Sequence, residues 1–144
     1  MANIFVNGCF DLFHDGHKRF LEKARMLGGF ENRLIVAINS DESARALKRK
    51  KWGKKYPIDD ENTRTERLMN YADHVVLFNL EGDLRKLIRE SMPCILVKGP
   101  DYLTKRITGD DIAPVIILDT PETDEIREMK RRVYGGTDRC KVTS

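Results

Sequence analysis

Five short apolar runs punctuate the chain: Ile4-Phe5-Val6, Leu34 to Ile38, Val75 to Phe78, Cys94 to Val97 and Pro114 to Leu118. Continuous apolar runs of this length predict strands buried on both faces, as in a parallel sheet. Between them the apolar spacing becomes helical. Phe20, Leu21, Ala24 and Leu27 fall at i, i+1, i+4 and i+7, and Leu68, Met69 and Ala72 lie at the end of a helical pattern over 60–71. Leu84, Leu87 and Ile88 form a third stripe, and Ile126, Met129 and Val133 a fourth. Asn39-Ser40-Asp41 supplies cap chemistry for a short helix over 42–48. Gly28-Gly29, Pro93 and Gly135-Gly136 stop their helices, while Thr120 and Pro121 read as cap and first position of the last one. Strand and helix alternate, which predicts an α/β doubly wound domain of about five parallel strands over 1–136, followed by a tail over 137–144. No internal repeat or linker interrupts it.

In such a sheet, ligands bind at the carboxyl ends of the strands. The polar stretch Asn7 to His17 lies at the first of these ends, with Asn39 to Asp41 at the second. Lys98-Gly99-Pro100-Asp101-Tyr102 lies at the fourth, where the pattern also fits an ordinary βα turn. The first is the richest. A loop containing Gly8 and Gly16 leads into a helix, and unpaired N–H groups at a helix start attract phosphate. Both glycines allow close approach of the backbone to a ligand. His14 and His17, three residues apart, can donate to one phosphate chain. Without cysteine or carboxylate at ligand spacing they make a poor zinc pair, so no metal is assigned to them.

Composition adds limits. The 144 residues are enough for one domain with a real core, and 40% hydrophobic with 34% charged residues is ordinary for a soluble protein. No apolar run approaches the ~20 residues of a membrane span, and Met1-Ala2-Asn3 leads into a strand instead of a signal peptide. The scattered cysteines are odd in number: Cys9 and Cys94 are expected to pack as small apolar residues, Cys140 lies in the tail, and a reducing cytoplasm fits best.

The net charge of +3 is too small to imply nucleic-acid binding by itself, but Lys48 to Lys55 holds six basic residues in eight positions. This segment reads first as a mobile flap that closes over a triphosphate, then as a solvated loop. Trp52 is its single aromatic, which makes a nucleic-acid patch the weakest of the three. Arg64 and Arg67, at i and i+3, share a helix face and can reach one anion or simply face solvent.

Gly8-Cys9-Phe10-Asp11 followed by His14-Asp15-Gly16-His17 resembles the His-x-Gly-His signature of the cytidylyltransferase-like nucleotidyltransferases. Leu34 to Asp41 with Leu47-Lys48, Val97 to Tyr102 and Ile107-Thr108-Gly109 are similar to the heptose-1-phosphate adenylyltransferases of lipopolysaccharide core biosynthesis. Glycerol-3-phosphate cytidylyltransferases share the plan, and archaeal FAD synthetases share Gly-Pro-Asp. The resemblance, from Asn3 to about Leu118, implies a Rossmann-like fold and transfer of a nucleoside monophosphate from an NTP to a phosphorylated acceptor with release of pyrophosphate. Its first reading is ATP with a sugar phosphate such as heptose 1-phosphate; the alternatives are CTP with a polyol phosphate, and a nucleotide-binding module without turnover. It implies that His14, His17 and Lys48 act on the reacting phosphates. Gly8, Cys9, Phe10, Asp11, Gly16, Lys98, Gly99, Asp101 and Thr123 would line the nucleotide, with Asp11 bracing the first loop. Asn39, Asp41, Tyr102 and either Arg64 or Arg67 would meet acceptor or phosphate. Mg²⁺ is expected with the triphosphate. Small-molecule substrates, no nucleic acid, no membrane and a possible homodimer complete the expectation.

One segment departs from the family. Relatives place a hydroxyl-rich motif at the last helix start, where this chain has Thr120-Pro121-Glu122-Thr123-Asp124-Glu125. Three carboxylates there stabilise a helix but repel a triphosphate. The helix start is then displaced, the nucleotide or its metal is held differently, or activity is lost.

Overall fold

The structure is a computed structural model that describes residues 3–27, 31–52, 57–99, 107–118 and 123–134, with the backbone alone at 47–52, 81 and 134. Its strands are β1 (Asn3–Gly8), β2 (Arg33–Asn39), β3 (His74–Phe78), β4 (Pro93–Lys98) and β5 (Val115–Ile117). Its helices are α1 (Asp15–Met26), α2 (Asp41–Trp52), α3 (Glu61–Leu68), α4 (Glu81–Ser91) and α5 (Asp124–Tyr134). All five strands are parallel, in the order β3-β2-β1-β4-β5. The expected Rossmann-like doubly wound sheet is therefore present. Its strand order reverses between β1 and β4, the place where such sheets bind ligands.

Alternation along the strands divides the core into two layers. Ile4, Val6, Val36 and Ile38 face Leu21 and Ala24 of α1 and Leu68 of α3. Phe5, Ile35, Ala37 and Leu96 face Leu84 and Ile88 of α4, with Ala113 beside them. Gly109 is required in the second layer. It has φ +92°, and a β-carbon on it would stand 2.8 Å from Cδ1 of Ile88.

The amino edge of the sheet is held by Asp73. Its carboxylate takes a forked pair from Arg25 at 2.9 and 3.2 Å and the Leu34 amide at 2.8 Å. These donors, Arg25 first and then Leu34, hold the carboxyl below its ordinary pKa.

Four details correct the sequence reading. The helix expected to stop at Lys48 runs to Trp52, because Lys and Arg are good helix formers and nothing breaks the run before Gly53. The first half of the expected flap is thus helical, and residues 53–56 lie outside the described residues. Gly82, which with Asp83 reads as leading into the helix of the Leu84 stripe, lies inside α4. Cys94 is exposed instead of packed. The last helix is capped by Thr123, whose Oγ1 accepts from the Ile126 amide at 3.2 Å. Thr120 to Glu122 and the tail over 137–144 lie outside the described residues.

Candidate active site

The loop between β1 and α1 is strained and tightly packed. Phe10 and Leu12 both lie in the left-handed region, at φ 57° and 47°, costing each non-glycine residue roughly 1–2 kcal/mol. What holds them is visible. Phe10 is buried, and the Asp11 carboxylate accepts the amides of Ile58 and Asp59, both at 2.8 Å. Asp11 therefore clamps the loop to the segment that leads into α3, and both of its carboxylate oxygens accept from protein amides.

The two histidines cap α1 and each other. Nδ1 of His14 accepts from the amides of Gly16 and His17 at 3.1 and 3.4 Å, and Nδ1 of His17 accepts from the His14 amide at 3.3 Å. This is a capping box with imidazoles in both places. The rings stack with centroids 3.7 Å apart and planes 18° apart. Phe10 meets His17 edge-on at 5.2 Å, Phe13 stacks on it at 5.4 Å, and Tyr71 backs Phe13. An accepting Nδ1 carries no proton, so the hydrogen-bond network assigns the proton to Nε2 in each neutral ring. Burial, then the neighbouring His14, then Lys130 push the His17 pKa down to about 2. The pair is thereby suited to act through neutral N–H donors.

Gly16 has a steric reason. A β-carbon on it would stand 2.9 Å from the His14 ring and 3.3 Å from Cδ1 of Ile126. The second contact locates the start of α5 against the start of α1, so the divergent helix has not left the histidines. Asp124 and Glu125 are exposed, and Asp124 pairs with Arg127 at 2.7 Å. Those two acids face solvent.

Among the described residues Arg64 is the largest fully buried side chain. Its Nη1 donates to the carbonyls of Cys9 and Asn39 at 3.0 and 2.8 Å, Nε donates to the Asp59 carbonyl at 3.1 Å, and Nη2 donates to Asp41 at 2.8 Å. It ties the carboxyl ends of β1 and β2 to the start of α2 and the segment before α3. Arg64 and Asp41, which the resemblance offers as phosphate or acceptor contacts, are paired with each other in this structure. A signal was present: Leu68 lies one turn beyond Arg64, and a residue sharing a face with a core leucine points inward. Arg67 is half-exposed and pairs with Asp59 at 2.5 Å, which makes it the more accessible of the two.

Asn39 is buried and donates to the Ser43 hydroxyl at 2.9 Å. Gly8 and Cys9 line the same end of the sheet, with Cys9 Sγ 3.5 Å from Nη1 of Arg64. Lys98 is buried at the last position of β4, and Gly99 follows in open space. Lys48 lies on α2 with its side chain outside the described residues, as Asp101 and Tyr102 are entirely. Sequence reading missed Asp59, Phe13, Tyr71 and Ile126 as supports of this site. Aromatic residues at 10 and 13 beside a histidine pair were the available sign.

Comparison with known proteins follows the same lines. A family model described as cytidylyltransferase-like matches residues 5–135. The bifunctional protein HldE of Helicobacter pylori strain HPAG1 is 44% identical over 112 residues, covering 76% of this chain and 22% of that protein. HldE of Geobacter metallireducens is 37% identical over 142 residues, covering 92% of this chain and 27% of that protein. The chain thus spans about a quarter of the length of these relatives. A lipopolysaccharide core biosynthesis protein from Thermoplasma volcanium superposes with a TM-score of 0.66 at 26% identity, covering 85% of this chain and 99% of the other. With its parallel sheet, its paired histidines capping α1 and a family match over nearly its whole length, this chain belongs to the cytidylyltransferase-like family.

Proposed function

We propose that the protein is a nucleotidyltransferase that joins the nucleoside monophosphate of ATP to a sugar phosphate of the heptose 1-phosphate type. An oxygen of the acceptor phosphate attacks the α-phosphorus in line. The bond from that phosphorus to the bridging oxygen breaks, and pyrophosphate leaves. No covalent enzyme intermediate is needed, so catalysis is positioning and stabilisation of charge.

The observation that carries this reading is the reciprocal histidine cap. It fixes two neutral imidazoles at the amino end of α1, where the helix already favours anions. Their protonated Nε2 atoms are donors to charge developing on the phosphates, a role in which preorganisation matters more than net charge. Asp11 and Arg64 act at one remove by holding the loop and the strand ends. Arg67, Lys48 and Lys98 are the cations assigned to substrate phosphates, and the 97–102 segment to the nucleotide.

Mg²⁺ belongs to this reading as the companion of the triphosphate. Among the described residues no three His, Cys, Asp or Glu side chains converge as a metal cage, and Asp11 and Asp41 are committed to protein donors. The chain's residues fit an ion carried mainly by phosphates and water, which would neutralise charge on the leaving pyrophosphate. The sugar-phosphate assignment is supported by similarity to the heptose branch and to the lipopolysaccharide core protein of Thermoplasma volcanium. A cytoplasmic location and a homodimer belong to the proposal as well. Among the described residues no helix is long and apolar enough to cross a membrane.

The test is pyrophosphate release from ATP and from CTP, each with Mg²⁺, against sugar 1-phosphates and polyol phosphates. Release with ATP and a heptose 1-phosphate is expected. Release only with CTP and a polyol phosphate replaces both substrates, and binding of nucleotide without release from any pair identifies a binding module.

A further inference from the structure

The side chain of Asn7 takes no part in the capping, clamping or pairing described above. It occupies the last position but one of β1, the central strand, opposite Ala37 of β2. Its Oδ1 is buried and has no hydrogen-bond partner among the described residues. Buried amide oxygens are almost always paired, so an orphan calls for an explanation. A chain that needed only to fill this space would be better served by an apolar side chain.

The surroundings say what kind of partner is missing. Phe5 and Leu96 are register neighbours on β1 and β4 and face the same layer of the core. Two residues on, alternation puts Asn7 and Lys98 on that same face, at the strand-order reversal where ligands of open parallel sheets bind. The histidines lie on the other side of the sheet edge, since Phe10 and Phe13 around them belong to the opposite layer. Asn7 is therefore placed to meet a part of the substrate other than the reacting phosphate. An amide oxygen rejects an anion and takes a hydrogen-bond donor. A hydroxyl both donates and accepts, so it satisfies the amide whichever of its two heteroatoms faces inward. Substrates of the proposed reaction carry hydroxyls on the nucleotide ribose and on the acceptor sugar.

We infer that Asn7 is a substrate-binding residue whose half-buried side-chain amide recognises a sugar hydroxyl. This rests on the nucleotidyltransferase reading.

The experiment uses the full chain, with Asn7→Leu to keep the branched shape without its polar atoms and Asn7→Ala to remove it. Melting of the ligand-free protein is measured first. Affinities for ATP, 2′-deoxyATP and 3′-deoxyATP with Mg²⁺ follow, and then the KM for the acceptor phosphate. Removing an orphan acceptor loses no hydrogen bond, so Asn7→Leu should melt at or above the wild-type temperature. Binding of the hydroxyl-bearing ligand should weaken about tenfold, the scale of one hydrogen bond. A ribose contact appears as weaker ATP binding, with one deoxynucleotide losing affinity in the wild type and none further in the variants. An acceptor contact appears as a raised KM for the acceptor with unchanged ATP affinity. Variants that match the wild type in both overturn the assignment, as does an Asn7→Leu that fails to fold or melts lower without weakened binding. A wild type that binds neither ATP nor CTP overturns the nucleotidyltransferase reading itself, and this assignment with it.

Discussion

The ring of His14 lies so close over Gly16 that a β-carbon there would stand 2.9 Å from both its Cε1 and its Nδ1. Helix propensity alone favours Gly16→Ala by roughly 0.5–1 kcal/mol. The ring contact opposes it, because a displaced His14 gives up two accepted amides and its stack on His17. We expect the contact to win: thermal melting falls, and pyrophosphate release drops at least about tenfold. A more stable, fully active Gly16→Ala would show that the ring moves aside freely.

Protonation of His17 is disfavoured in the folded chain, with its pKa moved from 6.5 to about 2 by burial, by His14 and by Lys130. The sign follows directly. Below 6.5 the unfolded chain binds a proton that the folded chain refuses, so this residue's stabilisation is complete above 6.5 and is lost progressively toward 2. The slope approaches at most about 1.4 kcal/mol per pH unit. Unfolding in denaturant between about pH 6.5 and 5, above the range where carboxylates titrate, should show it. His17→Gln should flatten the profile there, and His17→Ala should cut turnover about a hundredfold. A wild-type profile flat over that range would mean that His17 takes up its proton in the fold.

Arg64→Lys keeps the charge and loses the fork. A lysine has one nitrogen where four acceptors wait on three sides, so the carbonyls at the ends of β1 and β2 and the Asp41 carboxylate are left under-satisfied. The expected cost is about 3–5 kcal/mol of unfolding free energy. If Arg64 instead bound substrate phosphate, the variant would keep its stability and lose only affinity for triphosphate.

Asp73 is the contrasting case, because it lies at the amino edge of the sheet, opposite the site. Its fork with Arg25 is largely solvent-exposed and contributes little; the Leu34 amide contributes more. Asp73→Ala should cost about 1–2 kcal/mol and leave KM and kcat unchanged at temperatures where it is folded. Because its partners hold the carboxyl below 3.8, this contribution is present above that pH and fades below it. A changed KM would mean that the amino edge communicates with the histidines.

The fold was legible because each strand is an apolar run that no helix period explains, and the sheet type because those runs do not alternate. The histidine loop was legible for the same reason that it is strained: Gly8, Asp11, His14, Gly16 and His17 each satisfy a local demand. The meaning of charged residues was harder to see. Arg64 read as either an anion contact or an ordinary surface arginine, since a buried guanidinium depends on carbonyls contributed by residues 9, 39 and 59, which are far apart in sequence. Lys48 to Trp52 read as loop because charge dominated the pattern, although charge does not prevent a helix. Asn7 read only as the start of the polar stretch at the end of the first strand, since nothing in a sequence shows that an amide lacks a partner.

The position of β1 also shapes how the chain must assemble. β1 is flanked on one edge by β2, which begins at Arg33, and on the other by β4, which begins at Pro93. The histidine cap, the Asp11 clamp and the Arg64 tie all come from residues before 65, so most of the histidine edge can close early on local pairings. The second edge of the central strand then stays open until the chain has been made through residue 98. Non-local parallel pairing of this kind is slow, and an unpaired apolar edge recruits other chains. Docking of β4 is thus the step at which folding competes with aggregation, and a chain truncated before it would be expected to keep the histidine loop's sequence intact and yet fail in solution.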